Sequence, residues 1–201
     1  MADNGRTTGA YDQHTALVVV DLQHDFAHPD GNLFVPGGDE VVPFVNAEIA
    51  AARAAGALVV CTQDWHPETT PHFEKDGGIW PVHCVMGTWG AELHAELDAG
   101  GPVVRKGSGG EDGYSGFAVR DPESGQEGAT ELDDLLRGAG VERLVIVGLA
   151  ADVCVRATTL HALERGYQVE LLAGGTRAVD LRPGEGFRAI ATLVEAGAKV
   201  S

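Results

Sequence analysis

The chain has 201 residues, 44% of them hydrophobic, which is enough for one sizeable core and short for two. Its 30 acidic and 14 basic residues give a formal net charge of −16, which repels nucleic-acid backbones and anionic membrane surfaces and argues against both as partners. The three cysteines are an odd number at wide spacings, which argues against a disulfide framework and favours free thiols.

The start of the sequence predicts a flexible leader over residues 1–13, followed by a single domain over residues 14–201. The leader lacks the apolar core of a secretory signal, and no segment approaches the roughly 18 consecutive apolar residues of a membrane span. We therefore expect a cytoplasmic protein.

Apolar runs and helical periodicity alternate along the domain. Six runs predict buried strands: TALVVVDL, ALVVCTQD, PVVRK, RLVIVGLA, YQVELLAG and AKV. Four segments with apolar residues at three-to-four spacing predict helices: EVVPFVNAEIAAARAAG, GATELDDLLRGAG, ADVCVRATTLHALERG and PGEGFRAIATLVEAG. The alternation predicts an α/β fold, a doubly wound and mostly parallel sheet of about six strands with helices on both faces. Two long irregular stretches, residues 64–90 and 107–128, interrupt it and are expected to be functional.

Three reactive side chains stand where predicted strands end. Asp21 follows the first strand, where burial raises the pKa of a carboxyl toward the range of a working base. Lys106, one of three lysines, ends the third strand, where its ammonium could hold both Asp21 and a thiolate. Cys154 falls in the first turn of a predicted helix, which favours a thiolate and lowers the pKa of a thiol to roughly 3.5 to 7.5. Each also has a structural interpretation: a loop cap, a surface lysine and a buried apolar thiol.

The first irregular stretch is dense in metal-binding residue types. Asp64 and His66 are two apart, so in extended backbone their side chains point to the same side, and His72 and His83 can fold back to join them. Mixed carboxylate and imidazole ligation suits one divalent ion, zinc with manganese or iron as alternatives. Cys84, beside His83, could also ligate, although packing is the favoured interpretation of that thiol. The alternative for each histidine is a hydrogen-bonded surface group.

Five fragments occur in one order over residues 15–200: VVVDLQHDF, TQDWHPETTPHF, WPVHCVMGT, VVRKG followed by YSGF, and GLAADVCVRAT. Together they resemble the nicotinamidases (pyrazinamidases) of the isochorismatase-like cysteine hydrolase superfamily. The resemblance implies hydrolysis of nicotinamide to nicotinate and ammonia through a thioester, feeding NAD salvage. It implies a catalytic triad of Asp21, Lys106 and Cys154. It implies metal ligation by Asp64, His66 and His83, with His72 as the least regular ligand.

The resemblance also assigns the walls of a substrate pocket. Phe26, Trp80, Tyr114 and Leu149 are implied to contact the ring of nicotinamide. The backbone N–H groups of Ala150 and Cys154 are implied to hold the oxyanion, beside a cis peptide between residues 149 and 150. The sequence leaves a homo-oligomer open, as well as two other functions. One is an amidohydrolase that acts on a carbamoyl or ureido compound without a metal, and the other is a non-catalytic zinc-binding α/β domain.

Overall fold

The computed structural model describes residues 11–201, so most of the predicted leader lies outside the described residues. Tyr11 and Asp12 are hydrogen-bonded to residues of the folded domain. The hydroxyl of Tyr11 donates to Glu48 Oε2 at 2.9 Å, and Asp12 Oδ1 accepts hydrogen bonds from Thr15 Oγ1 at 2.7 Å and from the N–H of His14 at 3.0 Å.

Residues 11–201 contain eight strands, and six of them match the predicted runs. The strands are β1 (Thr15–Val20), β2 (Leu58–Asp64), β3 (Val103–Lys106), β4 (Ala118–Arg120), β5 (Glu127–Ala129), β6 (Arg143–Leu149), β7 (Gln168–Arg177) and β8 (Lys199–Val200). The central sheet has the order β3-β2-β1-β6-β7-β8, and every neighbouring pair in it is parallel. The predicted parallel sheet is therefore confirmed.

In the described part of the chain five α-helices accompany the strands, and the four longer ones match the predicted segments. The helices are α1 (His24–Ala27), α2 (Val42–Ala54), α3 (Leu132–Gly138), α4 (Cys154–Glu164) and α5 (Glu185–Glu195). Alternate residues of β1 enter two different cores: Leu17 and Val19 pack in the cluster that contains α2, and Val18 packs in the cluster that contains α3, α4 and α5. Helices thus cover both faces of the sheet, as predicted.

The antiparallel β4–β5 hairpin and the four-residue helix α1 were not predicted from the sequence. The hairpin strands AVR and EGA are short and partly or fully exposed, so they carry no alternating apolar signal. Within the part of the chain that the structure describes, no helix is long and apolar enough to cross a membrane.

The parallel strands bring their carboxyl ends to one edge of the sheet. Asp21 directly follows β1, and Asp64 and Lys106 end β2 and β3, where the two residues are paired in register. Cys154 begins α4, five residues beyond the end of β6. Residues from four separate stretches therefore converge at this edge, as expected for a parallel α/β sheet.

Candidate active site

Asp21, Lys106 and Cys154 meet at the carboxyl edge of the sheet, and all three are buried. The Nζ of Lys106 lies 2.8 Å from Asp21 Oδ2 and 3.7 Å from Cys154 Sγ. The same ammonium donates to Asp64 Oδ1 and to the carbonyl oxygen of Gly113. One buried cation thus joins two carboxylates and a thiol, so the three predicted strand-end residues are brought together.

The carboxyl of Asp21 has the electrostatic properties of a base. Burial raises its pKa from 3.8 to about 6, because loss of hydration outweighs the lowering effects of Lys106 and Thr62. Thr62 Oγ1 donates to Asp21 Oδ1 at 2.6 Å and accepts from the N–H of Asp21 at 3.2 Å. The backbone of Asp21 has a φ of 47°, a conformation uncommon outside glycine. The carboxyl is therefore held in one place and has a pKa raised in the predicted direction.

The thiol of Cys154 differs from the sequence-based expectation. Cys154 is the first residue of α4, as predicted, yet its pKa is raised well above the ordinary value rather than lowered. Burial is the main cause, and it outweighs the opposing effect of Lys106, while the carboxylates of Asp21 and Asp64 raise the pKa further. The expected lowering of this pKa was wrong, because the helix-terminus argument left out the loss of hydration. Asp21, Asp64 and Cys154 bring an oxygen or sulfur atom within 4.8 Å of one another, so two carboxylates lie beside the thiol.

A second cluster, of three buried histidines, lies beside the first. His66, His72 and His83 place ring nitrogens within 4.8 Å of one another, and their ring centroids are 4.7 to 5.4 Å apart. Asp64 Oδ2 lies 3.9 Å from His66 Nε2 and 3.8 Å from His83 Nε2. The four predicted ligands therefore converge, with Asp64 shared between the histidines and Lys106.

The hydrogen bonds of these imidazoles fit a metal ion. His83 Nδ1 donates to the carbonyl oxygen of Pro81 at 2.7 Å. The proton of the neutral ring is therefore on Nδ1, and Nε2 keeps a lone pair that can bind an ion. His72 Nδ1 lies 2.6 Å from Asp112 Oδ1, an arrangement with the same effect on its Nε2. Both ring nitrogens of His66 are buried without a hydrogen-bond partner among the described residues. Unpartnered buried nitrogen is costly, and a divalent ion would satisfy it.

Another group of histidines, two of which contact Trp89, does not fit a metal. His28 Nδ1 and His94 Nδ1 each accept a backbone N–H at 3.2 Å, so each ring carries its proton on Nε2. His24 uses both nitrogens, since Nδ1 bonds to the carbonyl oxygen of Trp89 at 3.0 Å and Nε2 accepts the N–H of Ala95 at 3.2 Å. Hydrogen bonding therefore distinguishes histidines that keep a ring nitrogen available for an ion from histidines whose bonds are used in packing, which the sequence could not do.

A pocket of about 410 Å³ of empty space, including its open mouth, joins the two clusters. Its walls are formed by Phe26, Leu33, Val35, Asp64, His72, Trp80, His83, Gly113, Tyr114, Leu149, Ala150, Val153, Cys154 and Val179. All four residues predicted to contact the ring are among them. Trp80 Nε1 donates to the hydroxyl of Tyr114 at 2.9 Å, which ties two of the aromatic walls together. The peptide between Leu149 and Ala150 is cis, as the resemblance implied.

Several residues of the site were not found by sequence reasoning. Leu33, Val35 and Val179 complete the apolar wall from loops that carry no motif. The side chain of Gln23 forms two hydrogen bonds with the backbone of Asp64. Gln23 Nε2 donates to the carbonyl oxygen of Asp64, and Gln23 Oε1 accepts the N–H of Asp64, each at 2.8 Å. Among these residues, only Gln23 had a sequence signal that could have identified it, namely its position two residues after Asp21.

The chain is similar to known proteins over nearly its whole length. A family model described as the isochorismatase domain matches residues 15–201. A nicotinamidase of Escherichia coli (strain K12) is 36% identical over 201 residues, covering 91% of this chain and 92% of that protein. The pyrazinamidase of Pyrococcus horikoshii, solved in complex with zinc, is 40% identical with a TM-score of 0.83, covering 94% of this chain and 98% of that one. PnC1 from L. infantum, solved in complex with nicotinate, is 35% identical with a TM-score of 0.86, covering 96% and 94%.

Proposed function

The chain belongs to the isochorismatase domain family, and on that premise we propose that it is an amidohydrolase that converts nicotinamide to nicotinate and ammonia. The observation that carries the proposal is the pocket itself. The thiol of Cys154 lines one end, and a buried ammonium and carboxyl lie behind it. Imidazoles with a carboxylate line another part, and aromatic walls complete the pocket. This arrangement accommodates a flat ring whose nitrogen and carboxamide point in different directions. Its product would feed NAD salvage.

Ring placement depends on the apolar walls and on the histidine cluster. The rings of Phe26, Trp80 and Tyr114 would contact the pyridine ring and exclude water from the reacting carboxamide. Asp64, His66 and His83, with His72, would hold one divalent ion, and imidazole-rich ligation favours zinc. When bound, such an ion supplies a Lewis-acidic anchor for the ring nitrogen. The wall residues then fix the distance from the ring to the thiol.

The first half of the reaction uses the buried triad. Asp21 takes the proton of the Cys154 thiol, and the sulfur attacks the carboxamide carbon to form a C–S bond. Lys106 stabilises the thiolate and keeps Asp21 oriented. The N–H groups of Ala150 and Cys154 stabilise the oxyanion, a contribution of about 2.7 to 4 kcal/mol per donor in comparable sites. Asp21 returns the proton to nitrogen as the C–N bond breaks and ammonia leaves.

Water completes the cycle. Asp21 accepts a proton from a water molecule that attacks the thioester carbon, and the C–S bond breaks as nicotinate forms. The proton then returns to the sulfur of Cys154. Because the resting thiol is neutral, this pathway depends on Asp21 as a proton acceptor at both stages.

Ammonia release from nicotinamide, measured with and without a chelator, tests this proposal. We expect stoichiometric metal, nicotinate as the product and loss of turnover after metal removal. A metal-free protein that is fully active on a carbamoyl or ureido compound, and inactive on nicotinamide, would favour the other amidohydrolase. A metal-loaded protein with no hydrolysis would favour the non-catalytic domain. A cytoplasmic location, the lack of nucleic-acid and membrane partners and a homo-oligomer stay predictions.

A further inference from the structure

The orientation of His72 depends on a residue from a distant segment. Its Nδ1 lies 2.6 Å from Asp112 Oδ1, although 40 positions separate the two residues. A carboxylate only accepts hydrogen bonds, so Nδ1 carries the proton and the lone pair is on Nε2. The side chain of His72 is 4% exposed and that of Asp112 is 21% exposed, so the bond is largely sheltered from water.

The backbone of Asp112 is fixed by the β4–β5 hairpin. Its N–H donates to the carbonyl oxygen of Arg120 at 2.8 Å, and its own carbonyl oxygen accepts the N–H of Arg120 at 2.9 Å. Arg120 ends β4, which pairs with β5. The hairpin therefore fixes the backbone of the residue whose carboxylate contacts the imidazole of His72.

The other histidines of the cluster lack such a partner. His83 bonds to Pro81, two residues away in its own loop, and His66 has no hydrogen-bond partner within residues 11–201. A second hydrogen bond joins the segment that carries His72 to the segment that carries Asp112, since Thr70 Oγ1 donates to the carbonyl oxygen of Gly110 at 2.7 Å. His72 is thus the one imidazole of the three whose tautomer is set by a side chain from a distant segment.

We propose that Asp112 is a positioning residue that fixes the tautomer and ring orientation of His72 for metal binding. The inference rests on the proposed function, since it takes the histidine cluster as the metal site. It makes His72 a full ligand in the folded protein, and it makes the segment between β3 and β4 part of the metal site. Without the carboxylate, His72 could turn its ring or exchange its tautomer, and the remaining ligands would bind the ion more weakly.

Zinc affinity, measured by competition with a chromophoric chelator, tests this inference directly. Asp112→Ala should weaken zinc binding by about 10- to 100-fold, the usual cost of losing such a partner. Asp112→Asn should weaken it less, because the amide oxygen still accepts a hydrogen bond from Nδ1. Saturating zinc should restore most of kcat to Asp112→Ala, a rescue that a general folding defect would not give.

Glu111→Gln is the matched control, because it removes a charge from the neighbouring residue, whose carboxylate accepts the N–H of Gly109 instead. It should bind zinc like the parent protein. Parent-like zinc affinity in Asp112→Ala would overturn the inference, as would equal weakening in Asp112→Ala and Glu111→Gln. A parent protein that binds zinc but does not hydrolyse nicotinamide would overturn the proposed function, whereas the difference between variants would still support the role of Asp112.

Discussion

Thr62→Val should change the pH dependence of the reaction through Asp21. The Thr62 hydroxyl donates to Asp21 Oδ1 at 2.6 Å, and this bond favours the charged carboxylate and lowers its pKa. Valine has nearly the same shape and cannot donate. Both side chains are fully buried, so solvent does not replace the lost donor.

The size of the effect follows from the energy of that bond. A hydrogen bond to a charged group contributes about 1.5 to 3 kcal/mol, and about 1.36 kcal/mol corresponds to one pKa unit. The pKa of Asp21, about 6 in the parent, should therefore rise to roughly 7 to 8. At pH 6 the ionised fraction of the base then falls from about one half to a tenth or less, which predicts a loss in kcat/KM of about fivefold to fiftyfold. The sign is definite: activity is lost toward acid, and the two proteins converge above about pH 9.

The measurement is the pH profile of kcat/KM, which reports groups of the free enzyme. Thr159→Val is the matched control, because Thr159 is also fully buried and its hydroxyl has no hydrogen-bond partner among the residues that the structure describes. The control should keep the acid limb of the parent. An acid limb in Thr62→Val with the same midpoint as the parent would refute the reasoning and move the base away from Asp21.

Three further predictions concern the thiol, the buried cation and the metal ligands. Cys154→Ala should abolish ammonia release while calorimetry still detects nicotinamide binding, and measurable turnover would contradict the nucleophile. Lys106→Met should cost about 3 to 5 kcal/mol of unfolding free energy and nearly all activity, because it leaves buried carboxylates unpaired; an unchanged urea transition would contradict this. His66→Ala should lose stoichiometric metal by plasma mass spectrometry with an unchanged alkylation rate of Cys154, and retained metal would exclude His66 as a ligand.

The architecture could be predicted because its strands are buried on both faces. Runs such as LVVV in β1 and LVIVGL in β6 have no polar interruption, which is the pattern of a parallel sheet between helices. The β4–β5 hairpin could not be predicted, since its strands bury little and depend on contacts from outside the hairpin. One is the bridge between Asp112 and Arg120.

The residues of the candidate site that follow strands could be predicted from the sequence. Properties that depend on tertiary contacts could not. The ends of the predicted strands gave the positions of Asp21 and Lys106. They did not give the strand order, which places Asp64 beside Lys106 and so provides the ammonium with a second carboxylate. The pKa of Cys154 was predicted in the wrong direction, because burial is a property of the whole fold. Asp112 was invisible in the sequence, since its partner lies 40 residues away.

The strand order also determines when activity arises as the chain folds. β1 pairs with β2 on one side and with β6 on the other, and the second pairing joins Thr15 to Arg143, 128 positions along the chain. Such long-range pairing is slow, because the entropy of closing the loop is lost before the contacts form. The charged residues that follow or end β1, β2 and β3 meet Cys154 only in a sheet in which β6 lies beside β1. We therefore expect catalytic activity to appear with this long-range pairing and not before it.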